Sequence, residues 1–234
     1  MLESKELTKK FGSKVAVDHV SVRMEPGHVY AMLGPNGSGK TTWMKMAAGL
    51  IKPTSGEMLF DGAPVGVDSR RKVAYMSTEP YFYSWMNIRD AGKYYQDFFE
   101  DFSMERFLSL LHRMELTEND KIRTLSSGMV AKMKIALTLA RDAAVYMLDE
   151  PFNGIDLLAR DEIRTTILEA AVPEKLLLLS SHLVEEMEAI ADRAVFIRSG
   201  KLIEVRDLEE MRETDGVSMA DRYRAIFGHG EVQA

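Results

Sequence analysis

The chain has 234 residues, of which 46% are hydrophobic and 28% charged, with a formal net charge of -6 and no cysteine. That length suits one large α/β domain with room for an inserted subdomain. The charge balance argues against a dedicated nucleic-acid binder, and the missing cysteines exclude a disulfide framework and thiol chemistry.

The opening residues carry no apolar segment of the secretory kind, and no stretch approaches the ~20 apolar residues of a membrane span. Residues 2–7 and 15–24 read as antiparallel strands, and Pro26-Gly27 turns the chain into a third at 29–33. Phe11 lies between the first two. It either stacks on a purine ring or plugs the hairpin, and spacing alone favours the plug. The apolar run 29–33 enters Gly-Pro-Asn-Gly-Ser-Gly-Lys-Thr-Thr at 34–42, which matches G-x-x-x-x-G-K-[ST]. A helix-like segment, 42–50, leaves it. Strand, loop and helix in this order form a phosphate-binding loop, with Gly34, Gly37 and Gly39 allowing close backbone approach. Amides over 37–42 converge on phosphate at the positive end of the helix. Asn36, Gly37, Ser38, Gly39, Lys40, Thr41 and Thr42 are the candidate nucleotide contacts. Lys40 supplies charge to the β- and γ-phosphates, and the Thr41 hydroxyl is a ligand for Mg²⁺.

Lys52-Pro53-Thr54-Ser55-Gly56 breaks the chain, and 57–60, Asp61-Gly62 and 73–76 read as short strands and turns. From 84 to 140 the apolar residues recur at helical spacing, as in Tyr94, Tyr95, Phe98 and Phe99. This stretch reads as a helical subdomain inserted into the α/β core. Within it, Leu125-Ser126-Ser127-Gly128 precedes a helix and offers an N-cap or an anion site. Then Val145-Tyr146-Met147-Leu148 ends in Asp149-Glu150, a buried strand closing on paired carboxylates. The first suits Mg²⁺, and the second can orient and polarise an attacking water. A further apolar strand, 176–179, runs into Ser180-Ser181-His182 and brings a histidine within reach of a γ-phosphate. Residues 194–205 read as a closing hairpin, and 207–228 as amphipathic helices.

Taken in order, the loop 34–42, Leu125-Ser126-Ser127-Gly128-Met129, Asp149-Glu150, Asp156 and His182 resemble the ATP-binding cassette family over nearly the whole chain. The Leu-Ser-x-Gly signature separates that family from other phosphate-loop enzymes. The resemblance implies a P-loop NTPase core with an N-terminal antiparallel β-subdomain and an inserted α-helical subdomain. Its parts would be 1–83 with 141–206, then 84–140, then a helical tail at 207–234. It implies ATP and Mg²⁺ as cofactors and Phe11 as the adenine-stacking ring. Ser126 and Gly128 would contact ATP held by a second cassette, identical or different. Glu150 becomes the general base, His182 the γ-phosphate sensor, and Asp156 part of a loop that communicates across the pair.

This sequence departs from the family pattern in three places. Thr78 stands where a Gln usually precedes Pro80 by two residues, with Glu79 beside it, so the Mg²⁺ or water ligand there is a shorter hydroxyl. Ser127 and Met129 replace a common Gly and Gln of the signature, and Asn153-Gly154 replaces the usual Ser-Ala. A single cassette without spans resembles a stand-alone ATPase docked on separate membrane-spanning permease subunits at the cytoplasmic face. The segment 219–228 is similar to the terminal helix of cassettes serving bacterial exporters. The aromatic run around Tyr81, Phe82, Tyr83 and Trp85 is too dense to point wholly inward and suits a docked partner helix. A cassette ATPase of a non-transport machine, such as metal-cluster assembly, remains open on the sequence. The stretch 84–140 leaves no room for the coiled coil of a DNA-repair member.

Overall fold

The computed structural model describes residues 1–79 and 81–228, the side chain of Leu158 excepted. Pro80 and residues 229–234 of the expected tail lie outside the described residues. Strands β1 (Leu2–Phe11) and β2 (Lys14–Met24) form an antiparallel hairpin whose register runs from Leu2↔Met24 to Phe11↔Lys14. Leu2 and Leu7 of β1 and Val20, Val22 and Met24 of β2 are buried, the inward set of a half-covered sheet. After β3 (Val29–Leu33) and α1 (Lys40–Ala47), β4 (Ser55–Phe60) and the short β5 (Ala63–Pro64) complete this sheet in the order β2-β1-β4-β5.

Between β5 and the strand that begins at Val73 lies α2 (Val67–Lys72), a helix that the sequence reading did not mark. The Gly66 N–H donates to Ser69 Oγ at 2.9 Å, and the same hydroxyl donates back to the Gly66 carbonyl at 3.0 Å. Ser69 is the buried residue of this helix, so no apolar period advertised it.

The inserted segment turns helical at α3 (Ile88–Phe98), later than residue 84, where Asn87 opens the helix by exchanging hydrogen bonds with Asp90. It continues through α4 (Met104–Arg113) and α5 (Ser127–Leu139). Arg141, just beyond α5, is buried and donates to the Asp101 carboxylate and to the carbonyls of Arg71 and Val73. That fastens the helical segment to the start of β6 (Val73–Met76).

With β7 (Val145–Asp149), β8 (Leu176–Ser181), β9 (Arg193–Arg198) and β10 (Lys201–Asp207), β3 and β6 form a second sheet in the order β10-β9-β3-β8-β7-β6. All its neighbouring pairs are parallel except β10 with β9. Helices cover both faces of such a sheet, which is why β3, β7 and β8 are buried along their whole length. Successive side chains of β3 alternate between faces. Tyr30 and Met32 join the core of Trp43, Met44 and the β1–β2 hairpin, while Ala31 and Leu33 join that of α5 and α6 (Leu157–Glu169). The chain closes through α7 (Val184–Glu188), α8 (Leu208–Asp215) and α9 (Met219–Phe227), with Tyr223, Ile226 and Phe227 packed on the second core. Among the described residues no helix is long and apolar enough to cross a membrane.

Candidate functional site

The strand order places β8 between β3 and β7, so three parallel strands end side by side. The segments that follow them are the loop 34–39, Glu150 and His182. Ligands of open α/β sheets bind outside these carboxyl ends. Here a cleft of about 440 Å³ opens there. Asn36, Gly37, Ser38, Gly39, Lys40, Thr41 and Thr42 form one wall. Glu150, His182, Thr78 and Phe11 form the rest, together with Lys14, Ala16 and Asn153.

The loop is held close to its neighbours. Gly39 has φ 107°, and a Cβ there would lie 2.4 Å from the Ala16 carbonyl oxygen, so only glycine fits. Lys40 begins α1 and is buried, its ammonium donating to the carbonyls of Gly34 at 2.6 Å and Pro35 at 3.3 Å. Burial pushes this ammonium below the usual lysine range, against the opposing pull of the Glu150 and Asp149 carboxylates. The buried Ser38 hydroxyl has no hydrogen-bond partner among the described residues. An orphan donor in a loop of convergent amides fits a phosphate group.

Glu150 turns out of β7 with φ 52°, a left-handed conformation costly for a residue with a Cβ. Its N–H is shared between the carbonyl and the hydroxyl of Ser180, at 3.1 and 3.0 Å. The turn aims the carboxylate into the cleft, where Oε2 lies 2.8 Å from His182 Nδ1 and Oε1 lies 3.7 Å from Lys40 Nζ. The residues expected to be catalytic are therefore in one line of contacts. Asp149 is buried beneath the cleft and is not part of its wall. Its Oδ1 accepts from the Ser180 hydroxyl and its Oδ2 from Tyr75 at 3.2 Å. Burial, reinforced by Asp149, holds the Tyr75 phenol far above its usual range, so it stays a donor.

Spacing alone would have made Phe11 a hairpin plug, and the structure corrects that. Phe11 is 51% exposed at the end of β1 and stands on the cleft wall, with Lys9 Nζ 5.1 Å from its ring centre. Ser126 and Gly128 lie apart from this cleft. Ser126 caps α5 by accepting from the Met129 N–H at 3.2 Å, and it is exposed. A Cβ on Gly128 would come within 2.8 Å of the Gly154 carbonyl oxygen, so the signature rests against the loop after β7. Sequence reasoning passed over Lys14 and Ala16, although both sit one turn beyond Phe11 in the same hairpin.

Among the described residues no cluster of three or more His, Cys, Asp or Glu side chains is placed to hold a metal alone. One carboxylate and one hydroxyl beside a phosphate loop is instead the donor set of a Mg²⁺ that arrives with a nucleotide. The residues present fit it.

Fold and cleft together define a phosphate-loop nucleoside triphosphatase fold with an inserted helical segment. The family model "ABC transporter" matches residues 17–153. The chain is 31% identical over 216 residues to the ABC transporter ATP-binding protein YtrB of Bacillus subtilis, covering 91% of this chain and 74% of that protein. It is 33% identical over 205 residues to the lantibiotic transport ATP-binding protein SrtF of Streptococcus pyogenes, covering 87% and 89%. Among solved structures, the ATP-binding subunit of an ABC transporter superposes with a TM-score of 0.85 at 24% identity, covering 97% of this chain and 99% of that one. The cassette MJ0796, in a dimeric post-hydrolysis state bound to ADP and Pi, gives 0.79 at 23% identity, covering 89% and 99%. The chain belongs to the ABC transporter family, and it is an ATP-binding ATPase cassette of that family.

Proposed function

We propose that this chain is the ATP-hydrolysing subunit of a transporter whose membrane-spanning permease is a separate chain, with export the favoured direction. The observation that carries the ATPase part is the meeting of Lys40, Glu150 and His182 at the ends of three adjacent strands. Thr41 and Asp149, with Thr78 at the cleft wall, would hold Mg²⁺, which neutralises the charge of the phosphates. The loop amides and Lys40 bind and orient the triphosphate. Glu150 accepts the proton of the attacking water, and His182, tied to the same carboxylate, faces the γ-phosphate. Phe11 stacks on the adenine. The division into 1–83 with 141–206, 84–140 and 207–234 goes with this reading. So does a place at the cytoplasmic face of the membrane through the permease.

Ser126, which is exposed, and the half-buried Gly128 are not on the wall of their own chain's cleft and are assigned to the ATP of a second cassette. ATP, and not ADP, is then expected to bring two cassettes together, because the γ-phosphate is the group they reach. Light scattering of a slow-hydrolysis variant in its native membrane complex and alone, with each nucleotide, checks this. Equal association with both nucleotides counts against the assignment.

The dock for the permease is placed at Tyr83 and Trp85. These rings are 63% and 64% exposed and stack at 5.8 Å, while Phe82 and Met86 turn inward. Exposed, adjoining aromatics favour a helix laid across them. Replacing both with Ser should release the chain from copurifying membrane subunits and leave nucleotide affinity within about twofold, as expected of surface positions. Identifying the protein that copurifies also tests the whole reading. A soluble scaffold with no membrane partner would favour the metal-cluster alternative.

A further inference from the structure

Lys134 lies in the middle of α5 and is 4% exposed, a charged residue among Met133, Ile135, Ala136 and Leu137. A buried ammonium is costly unless its three N–H groups find acceptors. Here each does. Nζ donates to the carbonyls of Ser77 at 2.9 Å, Thr78 at 3.2 Å and Glu79 at 2.7 Å. These are consecutive residues directly after β6, and Thr78 is the one that stands on the cleft wall. The Glu79 N–H also donates to Ser77 Oγ at 3.1 Å, curling the segment so that its carbonyls converge. From the other side, the Glu79 carboxylate pairs with Lys45 of α1 at 2.7 Å. Beyond it, Tyr81 sits with its ring centre 5.1 Å from Lys134 Nζ and shares a hydrogen bond with Tyr95 of α3 at 3.0 Å. Burial pushes the Lys134 ammonium below the usual lysine range, the mark of a group held where water does not reach.

We propose that Lys134 is a positioning residue for ATP hydrolysis: it carries the helical segment's orientation into the cleft by clamping residues 77–79 and so setting where Thr78 stands. The same ammonium joins α5, whose cap is Ser126 and whose first turn carries Gly128, to the chain that leads on to Tyr83 and Trp85. Turnover therefore depends on the helical segment being seated, while nucleotide binding, made by the loop 36–42, does not. The inference rests on the assignment of the cleft to ATP, with Thr78 facing the reacting end.

The test uses the full chain and reads ATP affinity and single-turnover hydrolysis on the same samples, with thermal unfolding as a control. Lys134→Met keeps the length and apolar stem but removes the three donors. It is expected to bind ATP within about twofold of wild type and to hydrolyse it about 10-fold slower or more, the scale of a misplaced cleft group. Thr78→Val should slow turnover by a similar factor. The double variant should be no slower than the slower single one, because both changes act through one segment. Wild-type turnover in Lys134→Met, or losses that multiply in the double variant, would overturn the inference. Should Lys134→Met not fold, Lys134→Arg replaces it. Its planar fork cannot meet three converging carbonyls as an ammonium does, so a slowed turnover coupled to Thr78→Val is again expected and normal turnover again refutes it. Failure of the wild-type chain to bind ATP would instead strike at the cleft assignment, so the two failures are distinguishable.

Discussion

Glu150→Gln should leave Mg²⁺-ATP binding intact and slow hydrolysis by ~10²-fold or more, the usual scale for loss of a general base. The substitution keeps the side chain's shape and an acceptor for His182 Nδ1, which lies 2.8 Å from Oε2. What it removes is the basicity needed by the attacking water. It also removes a negative charge 3.7 Å from Lys40 Nζ, so the affinity for a polyanion should hold or rise. The backbone turn at φ 52° is made by hydrogen bonds to Ser180, which Gln preserves. The ATP-bound pair should then persist, leaving a transporter held in one conformation. Single-turnover hydrolysis beside nucleotide titration decides the matter. Near-normal turnover would place the base elsewhere. Glu79 is then a poor substitute, since its exposed carboxylate is engaged by Lys45 and is not on the cleft wall, which leaves His182.

Lys40→Ala should abolish most ATP binding while the fold survives. Each charge-assisted hydrogen bond to phosphate contributes about 1.5–3 kcal/mol, so the loss is roughly 10- to 10²-fold in affinity. In the free chain this ammonium is engaged by the Gly34 and Pro35 carbonyls and drawn to Glu150, so it is held at the cleft rather than searching for it. Its removal also leaves the Glu150 carboxylate without its cation, which adds repulsion against the incoming phosphates. Titration of the folded variant with ATP, with circular dichroism to confirm the fold, measures the effect. Wild-type affinity would mean that the loop 34–42 is not the phosphate site.

The phosphate loop was legible because its cause is local. A buried strand, glycines at set intervals, a lysine and a helix start within a few residues of one another, and each constrains its neighbour. The same holds for β7 ending in Asp149-Glu150 and for the Ser126 cap. Other features depend on partners distant in the chain. Spacing alone favours Phe11 as a plug, and only the meeting of its hairpin with the loop after β3 put it on the cleft wall. Helix α2 carries charges and one buried serine, so it has no period to read and forms because Gly66 and Ser69 exchange hydrogen bonds.

Lys134 is the clearest case. In a helix rich in Met, Ile, Ala and Leu, Lys134, like Lys132, reads as a residue pointing to water, since burying an unpaired charge is prohibitive. The sequence by itself determined that a helix would follow Leu125-Ser126-Ser127-Gly128, that a buried strand would enter the glycine-rich loop 34–42 and a helix leave it, and that carboxylates would end a buried strand. Only the tertiary structure decided that the segment after β6 would pass over α5 and present three carbonyls to that lysine. Helical periodicity specifies a face, but the acceptors that make a buried charge tolerable come from residues 55 to 57 positions away, and nothing local encodes their arrival.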